Sequence, residues 1–506
     1  MASMIAKTGQ NLITRPPVIA IMGHIDHGKS TLLDYIRKSN IVAKEAGGIT
    51  QHISAYEVTR EDKSGKNQRI TFLDTPGHES FSAMRERGAE LADVCVLILS
   101  AEEGVKAQTL EAYKSIENAK KPFIVVINKI DKPNANIEHC KQELSENGIY
   151  VESYGGTIPS VNISAKSGEG VDDLLDMMLL VAELAELKGN PSQPANGFVL
   201  ETKLDPKIGP TVTLIIKDGE LTVGDFVVSG SEMAKTKKVE NFLGQATEKA
   251  TFSSPVRIFG FATLPKVGEP FVSFANKKDA EKYLSTNLNK KAITSVNGSN
   301  ENIAGQIEIP LVIKTDVAGT LEALEKEALK VETDKVKLKI VHTGVGAVSE
   351  NDIKMAGTGG SAVVIGFNVK TDRAATDLAE KNGTAIITFD IIYKLSEWLA
   401  EEVARRTPKE TVEEELGRAK ILKVFSQIKD KQIIGGQVTA GTIVKGKMTK
   451  ILRRDEEIGR GHIVALQEQK IKTNQVAEGV QFGCEFEAKI QVSAGDVIVA
   501  FDAVIR

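Results

Sequence analysis

The sequence has few cysteines, no long apolar run and no strong excess of either charge. Its 506 residues include three cysteines, which stand far apart and form no C-x-x-C pair. That spacing disfavours a disulfide framework and a cysteine-ligated zinc site, and it is typical of proteins in a reducing compartment. We therefore expect a cytoplasmic protein.

Membrane and bulk nucleic-acid binding are also disfavoured. No apolar segment is long enough to span a bilayer, and the N-terminus lacks the basic and apolar regions of a signal peptide. A formal net charge of -4 gives no general attraction to nucleic acid, so such binding requires a local basic patch. The length predicts several domains, roughly three to five.

A glycine-punctuated loop near the N-terminus lies between an apolar run, "VIAIM", and a segment with helical spacing, "TLLDYIRKS". Backbone N–H groups in the loop "GHIDHGKS" can surround a phosphate chain, Lys29 can reach the outer phosphates, and Ser30 offers a hydroxyl to Mg²⁺. The residues predicted to bind nucleotide phosphates here are Gly23, His24, Asp26, His27, Gly28, Lys29, Ser30 and Thr31.

Two further loops follow apolar strands in the order that a nucleotide site requires. "RITFLDTPGHESF" ends with Asp74, which can hold Mg²⁺ through water, and Gly77, whose N–H can contact a terminal phosphate. "FIVVINKIDKP" ends with Asn128, Lys129 and Asp131. A carboxylate at this position accepts two hydrogen bonds from guanine, and adenine offers no such pair of donors.

A fourth loop, "VNISAKSGEG", contains Ser164, Ala165 and Lys166 and is suited to closing over the base. Phosphate, sensor and base loops all follow strands, and open α/β sheets bind ligands at the ends of strands. The sequence therefore predicts a guanine-nucleotide site on such a sheet.

Four of the seven histidines, namely His24, His27, His52 and His78, lie in or near the nucleotide loops. Metal ligation by these side chains is an alternative to a role beside the phosphates. No cysteine cluster accompanies them, and the neighbouring hydroxyls and carboxylates suit Mg²⁺. We therefore favour the nucleotide interpretation.

The nucleotide motifs resemble those of the translational GTPases, and among them the bacterial translation initiation factor 2 family. The similar stretches are "RPPVIAIMGHIDHGKSTLLD", "EAGGITQHISAY", "FLDTPGHESFSAMRERGAELAD" and "VVINKIDKP", followed further on by "GELTVGDFVVSG" and "LKIVHTGVGAVSENDI". The resemblance implies an enzyme that binds GTP or GDP with Mg²⁺ and hydrolyses GTP to GDP and phosphate when stimulated by the ribosome.

The resemblance also implies roles for individual residues. Thr50 matches a threonine that adds a second hydroxyl to Mg²⁺, so "EAGGIT" is expected to become ordered when the γ-phosphate is present. His78 matches the histidine that positions the attacking water. The simpler alternative is that His78 caps the helix that follows it. The implied partners are ribosomal subunits, initiator tRNA and other initiation factors, with a monomer off the ribosome.

The remaining sequence predicts a multidomain α/β plus β-barrel fold: a P-loop GTPase domain, an elongation-factor-like β-barrel, an α/β/α layer domain and a C-terminal β-barrel. A weak repeat, "DGELTVGD" and "AGTIVKGK", supports two barrels. We expect Trp398 to pack against a neighbouring element. The predicted segments are the tail 1–14, GTP-binding domain 15–188, barrel 196–278, helical or flexible connector 279–306, α/β domain 307–390, connecting helix 391–418 and barrel 419–506.

The resemblance implies that the last barrel binds the formylmethionyl end of initiator tRNA. By position, the acceptor-end residues are Gln481, Phe482, Gly483 and Cys484. The family has Glu-Cys-Gly where this chain has Gln-Phe-Gly, and a second family cysteine is replaced by Gly436. Many bacterial members carry a long N-terminal extension before the nucleotide domain, and we expect any contact made by that extension to be missing here or removed.

These features favour an initiation factor that seats formylmethionyl-tRNA on the small ribosomal subunit, promotes subunit joining and then hydrolyses GTP. Two alternatives stay open: an elongation-type GTPase that delivers aminoacyl-tRNA, and a nucleotide-gated scaffold that acts outside translation. The α/β domain between two barrels argues against the first alternative. The second alternative is distinguished by measuring whether GTP hydrolysis depends on ribosomes, because hydrolysis unaffected by assembled subunits would favour the scaffold.

Overall fold

The computed structural model describes residues 12–37, 50–61, 65–291, 307–357, 361–407, 411–428 and 430–505. The chain divides into two compact units, Met1–Arg406 and Thr407–Arg506. Apart from Thr50, the predicted switch segment "EAGGIT" lies outside the described residues, as do the start of the tail and residues 292–306 of the connector. No helix within the described ranges is long and apolar enough to cross a membrane.

The predicted nucleotide domain contains a six-stranded sheet in the order β3-β4-β2-β5-β6-β7. Its strands are β2 (Val18–Gly23), β3 (Ser54–Glu61), β4 (Asn67–Asp74), β5 (Val94–Ser100), β6 (Phe123–Asn128) and β7 (Ser160–Asn162), and a separate short strand β1 (Ile13–Thr14) precedes them. All neighbours are parallel except β3 and β4. The continuous apolar runs "VIAIM" and "VCVLILS" are buried throughout, as parallel strands covered on both faces require.

Helices cover both faces of this sheet. They are α1 (Lys29–Arg37), α2 (Ser82–Leu91), α3 (Ala107–Ala119), α4 (Ile137–Glu146) and α5 (Val171–Leu184), with single 3₁₀ turns at Glu79–Phe81 and Glu152–Tyr154. Leu32 of α1 and Leu174 of α5 belong to one core, whereas Met84 of α2, Ile116 of α3 and Leu144 of α4 belong to the other. Because β2, β4 and β6 run in the same direction, the loops that follow them emerge at one edge of the sheet.

The next region is an eight-stranded antiparallel sheet in the order β13-β12-β18-β9-β10-β17-β14-β15. The strands from here to the helix α6 are β8 (Lys188–Gly189), β9 (Asn196–Asp205), β10 (Gly209–Asp218), β11 (Glu220–Thr222), β12 (Phe226–Ser229), β13 (Glu232–Lys235), β14 (Lys238–Asn241), β15 (Ala246–Thr247), β16 (Lys249–Thr251), β17 (Pro255–Phe259) and β18 (Pro270–Phe274). β8 pairs with β1, and β11 with β16.

One apolar core serves this sheet. Val212 and Leu214 of β10 join Val227 of β12 and Ile258 of β17 in it, so strands along most of the sheet share one interior, as in a small barrel. Helix α6 (Lys277–Lys291) packs on this region, and its Tyr283 ring lies 5.3 Å from the Phe274 ring of β18, centroid to centroid.

A four-stranded parallel sheet in the order β20-β19-β21-β22 follows. Its elements are β19 (Ile307–Thr315), α7 (Ala318–Lys330), β20 (Val336–Val345), α8 (Glu350–Ala356), β21 (Val363–Phe367), α9 (Arg373–Asn382), β22 (Ala385–Phe389) and α10 (Ile392–Arg406). α7 and α10 contribute to the core on one face, and α8 and α9 to the core on the other, which confirms the predicted α/β/α layers. Trp398 of α10 packs against Phe389, with ring centroids 5.9 Å apart.

The C-terminal unit is a closed six-stranded barrel. The six strands of the ring are β23 (Thr411–Ile428), β24 (Lys431–Val444), β25 (Met448–Arg453), β26 (Glu456–Glu468), β29 (Gln481–Ala488) and β30 (Val497–Ile505). Two short strands outside the ring, β27 (Ile471–Thr473) and β28 (Gln475–Ala477), pair with β26 and β24 respectively. The pairing β23-β30-β25-β26-β29-β24 closes because β24 also pairs with β23. The predicted connecting helix over 391–418 is wrong in its last part: α10 ends at Arg406, and residues 411–418 pair with β30.

Candidate nucleotide-binding site

The loop after β2 has little space for side chains. Gly23 has φ +151°, and a Cβ there would lie 2.2 Å from the carbonyl oxygen of Ile98. Gly28 has φ +90°, and a Cβ there would lie 2.2 Å from Nδ2 of Asn128. Only glycine fits at both positions, so the loop backbone stays exposed to a ligand while packing closely on its neighbours.

Lys29 is buried at the meeting point of the loops after β2 and β4. Its ammonium donates to the carbonyl oxygens of Gly23 at 3.0 Å and His24 at 2.7 Å. A Cβ at Gly77 would lie 2.6 Å from Nζ. Burial lowers the pKa of Lys29 to about 8, an effect that the charge of Asp74 opposes.

Two hydroxyls and a carboxylate meet beside this lysine. Ser30 Oγ lies 3.0 Å from Thr50 Oγ1, and that hydroxyl donates to Asp74 Oδ2 at 3.2 Å. Hard oxygen donors of this kind are the ligands that Mg²⁺ prefers, so the residues present fit the implied ion. Thr31, on the first turn of α1, is exposed, and so is Asp26, which has φ +60°.

Asn128 joins the phosphate loop to the base loop. Its Nδ2 donates to the carbonyl oxygen of His27 at 2.9 Å, and its Oδ1 accepts from the N–H of Ala165 at 2.9 Å. This bridging role was not foreseen from the sequence. It explains why an amide, which both donates and accepts, stands at the end of β6.

Asp131 is exposed beside the fourth loop, as the guanine assignment requires. Ser164 Oγ donates to its Oδ1 at 2.7 Å, and this bond holds the pKa of the carboxyl below its usual range. Lys166, two residues after Ser164, is exposed. The Lys129 ammonium lies 3.7 Å from Oε1 of Glu103. The predicted phosphate, ion and base residues thus lie on neighbouring loops.

His78 caps the 3₁₀ turn that follows it. Its Nδ1 accepts from the N–H of Ser80 at 3.1 Å and lies 2.7 Å from Ser80 Oγ, which donates to Glu327 Oε1 at 2.6 Å. The ring also packs edge-on against Tyr393, with centroids 4.4 Å apart. Burial lowers the pKa of His78 below its usual value. The capping alternative is therefore observed, and a role with water stays a prediction.

Arg85 holds the backbone that carries Gly77 and His78. The side chain is fully buried, and its guanidinium donates to the carbonyl oxygens of Pro76 and His78 and pairs with Glu111 at 2.5 Å. Sequence reasoning missed this residue because an arginine within "SAMRERG" has the pattern of an exposed helix face.

Three residues around the phosphate loop form a further cluster. Donor atoms of His24, His27 and Glu103 all lie within 4.8 Å of one another. Glu103 was not singled out from the sequence, because it follows β5 in a loop without a recognisable motif.

The predicted acceptor-end residues lie on β29 of the C-terminal barrel. Phe482 and Cys484 are buried in its core, whereas Gln481 is exposed and Gly483 partly exposed. Burial raises the pKa of Cys484 to about 12. Gly436 pairs with Phe482, and a Cβ there would lie 3.0 Å from the Phe482 ring. Surface contact with a tRNA end thus stays a prediction for Gln481 and Gly483.

Comparisons with known proteins find similarity along most of the chain. Family models match at 15–183 (elongation factor Tu GTP binding domain), 194–274 (elongation factor G domain 2) and 285–400 (translation-initiation factor 2). The chain is 39% identical over 504 residues to translation initiation factor IF-2 of Rubrobacter xylanophilus, covering 98% of this chain and 72% of that one.

It is also 41% identical over 502 residues to the factor of the same name from a Geobacillus species, covering 97% of this chain and 68% of the relative. The corresponding protein of Desulforamulus reducens is 40% identical over 500 residues. This match covers 50% of the relative's length. The solved structure of GDP-bound aIF5B from Aeropyrum pernix aligns with 96% of this chain and 92% of that chain at 27% identity, with a TM-score of 0.49.

Proposed function

This chain belongs to the translation initiation factor IF-2 family, and from that premise we propose that it is a GTPase that positions initiator formylmethionyl-tRNA on the small ribosomal subunit and promotes subunit joining. The observation that carries the proposal is the meeting of the phosphate, ion and base loops at one sheet edge. Two contacts support it: the charges of Lys29 and Asp74 interact, and Asn128 donates to the His27 carbonyl oxygen of the phosphate loop.

In the proposed site, the backbone between Gly23 and Gly28 binds the phosphates, and Lys29 exchanges its two carbonyl partners for phosphate oxygens. Ser30, Thr50 and Asp74 hold Mg²⁺, directly or through water. The ion, when bound, neutralises charge on the phosphate oxygens. Asp131 accepts hydrogen bonds from guanine.

His78 is the proposed catalytic residue. Its Nδ1 edge is bound to Ser80, which leaves the Nε2 edge to contact the attacking water or a γ-phosphate oxygen. Because phosphoryl transfer depends on positioning and charge stabilisation, we expect the ring to orient the water more than to remove its proton.

The C-terminal barrel is the proposed binding site for initiator tRNA. Two of the basic side chains on its surface already pair with carboxylates: Arg453 with Asp496 at 2.9 Å and Arg460 with Glu413 at 2.7 Å. Their net attraction for phosphates is therefore reduced. Affinity for formylated against unformylated initiator tRNA, measured on the whole chain, tests whether this barrel discriminates the formyl group.

The central experiment measures GTP turnover with and without ribosomal subunits and initiator tRNA. We expect slow turnover by the protein alone and strong stimulation by assembled subunits. Turnover that ribosomes leave unchanged would favour a nucleotide-gated scaffold outside translation.

His78→Ala tests the catalytic assignment in the same assay. The variant is expected to bind GTP normally and to lose roughly a hundredfold or more of the ribosome-stimulated rate, because a positioning contact to the reacting water is removed. GTP affinity, measured by equilibrium competition, is the internal control. Undiminished stimulated turnover would show that His78 is only a cap.

A further inference from the structure

The imidazole of His27 is fully buried beneath the phosphate loop. The ring faces the backbone of Ile98, but neither ring nitrogen makes a hydrogen bond of ordinary geometry with the described residues. A buried polar atom without a partner is unfavourable, and in native structures such an atom calls for an explanation such as a water, an ion or a catalytic role. Burial lowers the pKa of His27 to about 3, so the ring is neutral at physiological pH and its unprotonated nitrogen can bind a cation.

Two further donors face this ring. Oε2 of Glu103 lies 3.8 Å from Nε2 of His27. The His24 ring is edge-on to the His27 ring with centroids 4.8 Å apart. Its side chain interacts with Gln108, and its buried Nδ1 makes no hydrogen bond of ordinary geometry with the described residues. Among the residues that the structure describes, these three form the only group of at least three histidine, cysteine or carboxylate donors close enough to share an ion.

We propose that His24, His27 and Glu103 form a binding site for a divalent transition-metal ion of the Zn²⁺ or Co²⁺ class. Two imidazoles and one carboxylate are a recognised donor set for these ions, with a fourth position left for water. Glu103 provides access, because its side chain is 40% exposed. This site is chemically distinct from the oxygen site of Ser30, Thr50 and Asp74, which suits Mg²⁺.

The present distances require a small contraction. Tetrahedral coordination with bonds of about 2.0–2.1 Å places donors roughly 3.4 Å apart, whereas the three donors here span up to 4.8 Å. His27 is fixed by burial, but His24 is only partly buried and Glu103 is long and exposed, so these two can close on the ion. Lys129 lies 3.7 Å from the other carboxylate oxygen, Oε1, and so leaves Oε2 to the metal.

Competing donors are limited in the described chain. All three cysteines are buried, and burial raises the pKa of Cys95 and Cys484 to about 12 and of Cys140 to about 11, so none readily forms a thiolate. His52 and His342 each face one carboxylate, Asp316 and Asp352 respectively, and have no third donor of the set. Among the residues that the structure describes, the cluster of His24, His27 and Glu103 is therefore the candidate to which stoichiometric binding is assigned.

The test is a titration of the full chain, freed of metal and nucleotide, with Co²⁺ in the presence of excess Mg²⁺. We expect one equivalent of Co²⁺ to bind with a visible ligand-field absorption typical of mixed nitrogen and oxygen donors, and Zn²⁺ to displace it. Isothermal titration calorimetry with Zn²⁺ gives the stoichiometry independently. Absence of stoichiometric binding by either ion would overturn the proposal.

Glu103→Gln removes a donor without disturbing the buried rings, and we expect it to weaken Co²⁺ binding by more than about tenfold. Glu102→Gln is the matched control, since it removes the same charge from the adjacent exposed residue, which is outside the cluster. His139→Gln, at an exposed histidine elsewhere, controls for adventitious surface binding. Equal affinity in Glu103→Gln and the unchanged protein, or equal losses in Glu102→Gln and Glu103→Gln, would refute the site.

Discussion

At the scale of single residues, the nucleotide site depends on side chains that link one loop to another. Asn128 hydrogen-bonds to both His27 and Ala165, and Gly28 leaves the space that the Asn128 amide occupies. A side chain at Gly28 would therefore disturb the base loop as well as the phosphate loop. Asp131, by contrast, is exposed, and Ser164 of the base loop donates to its carboxylate, so its substitution tests base recognition without touching the phosphate loop.

Asp131→Asn exchanges an acceptor for a group that also donates. We expect GTP affinity to fall roughly a hundredfold or more, because two charge-assisted hydrogen bonds to guanine are lost. Affinity for xanthosine nucleotides, whose base edge has the complementary pattern, is expected to rise. Competition against a fluorescent nucleotide measures both. Unchanged GTP affinity would contradict the assignment of the "NKID" loop.

A second residue-scale prediction concerns Glu201, a buried carboxyl on β9. Its Oε1 accepts from the N–H groups of Thr202 at 3.0 Å and Gly319 at 3.3 Å, and burial raises its pKa from 4.5 to about 7. Below pH 4.5 both the folded and unfolded states hold the proton. Between that pH and about 7, the unfolded state loses the proton first, so the free energy of unfolding contributed by this group falls by roughly 3 kcal/mol.

Glu201→Gln removes this titration while keeping an acceptor for both N–H groups. We therefore expect the variant to match the unchanged protein near pH 4.5 and to be more stable by up to about 3 kcal/mol at pH 8. Urea unfolding at several pH values measures the difference. Glu248→Gln, at an exposed position, is expected to leave the pH dependence unchanged. Parallel stability curves for Glu201→Gln and the unchanged protein would contradict the prediction.

Sequence reasoning found the nucleotide loops because each carries its chemistry in a short local pattern. Gly23 through Ser30, and Asn128 through Asp131, each form one short segment that begins at the end of an apolar strand. Glu103, Arg85 and Glu327 have no such pattern, since each becomes relevant only through contacts with residues distant in the chain. Tertiary packing, which no single segment specifies, brings them to the site.

At the scale of elements, the C-terminal barrel shows how two departures from the family pattern fit together. Gly436 on β24 pairs with Phe482 on β29, and the Phe482 ring lies over the space that a side chain at 436 would need. The sequence identified both changes separately. Only the strand register shows that a large residue at one position accompanies the absence of a side chain at the other.

Gly436→Ala tests this complementarity. The added Cβ would lie 2.7 Å from the Lys420 carbonyl oxygen and 3.0 Å from the Phe482 ring, so we expect a loss of about 1–3 kcal/mol in the free energy of unfolding. The loss is expected to be smaller when Phe482→Leu is also present, because part of the clash is removed. Gly483→Ala is the control, since nothing lies within 4 Å of its added Cβ. Strict additivity of the two changes would contradict the proposed contact.

The start of β23 shows where element prediction fails. The predicted connecting helix over 391–418 includes the charged stretch "TVEEEL", whose glutamates have a helical preference. In the structure these residues form a strand with Thr411 opposite Ile505. Pairing with a strand nearly a hundred residues further along the chain overrides the local preference, and the sequence pattern contains no information about that pairing.

At the scale of the whole molecule, hydrophobic cores explain the division into two units. The core of the C-terminal barrel contains only residues from Leu416 onward, whereas the other cores contain only residues up to Val403. The order of fold types along the chain follows from the alternation of helical and strand patterns, so the fold class was predicted and is confirmed. The remaining domain boundaries stay predictions.

The separation of cores predicts that the C-terminal unit folds independently. Residues 407–506 form a closed barrel, which has no unpaired edge among the six strands of the ring, and their apolar core includes Phe486 and Ile434, both fully buried. A fragment spanning 407–506 is therefore expected to unfold cooperatively in a thermal or urea transition followed by circular dichroism. The full chain is expected to show a transition at the same midpoint and at least one other.

Phe486→Ala identifies that transition within the full chain. Removing a buried aromatic side chain from a core typically costs about 3–5 kcal/mol, so the barrel transition is expected to move to lower denaturant concentration while the other transitions stay in place. Phe72→Ala is the reciprocal control, because Phe72 lies on β4 in a core of the first unit. This variant is expected to leave the barrel transition unchanged. If Phe486→Ala shifted every transition equally, or if the fragment showed no cooperative transition, the two units would have to depend on each other for folding.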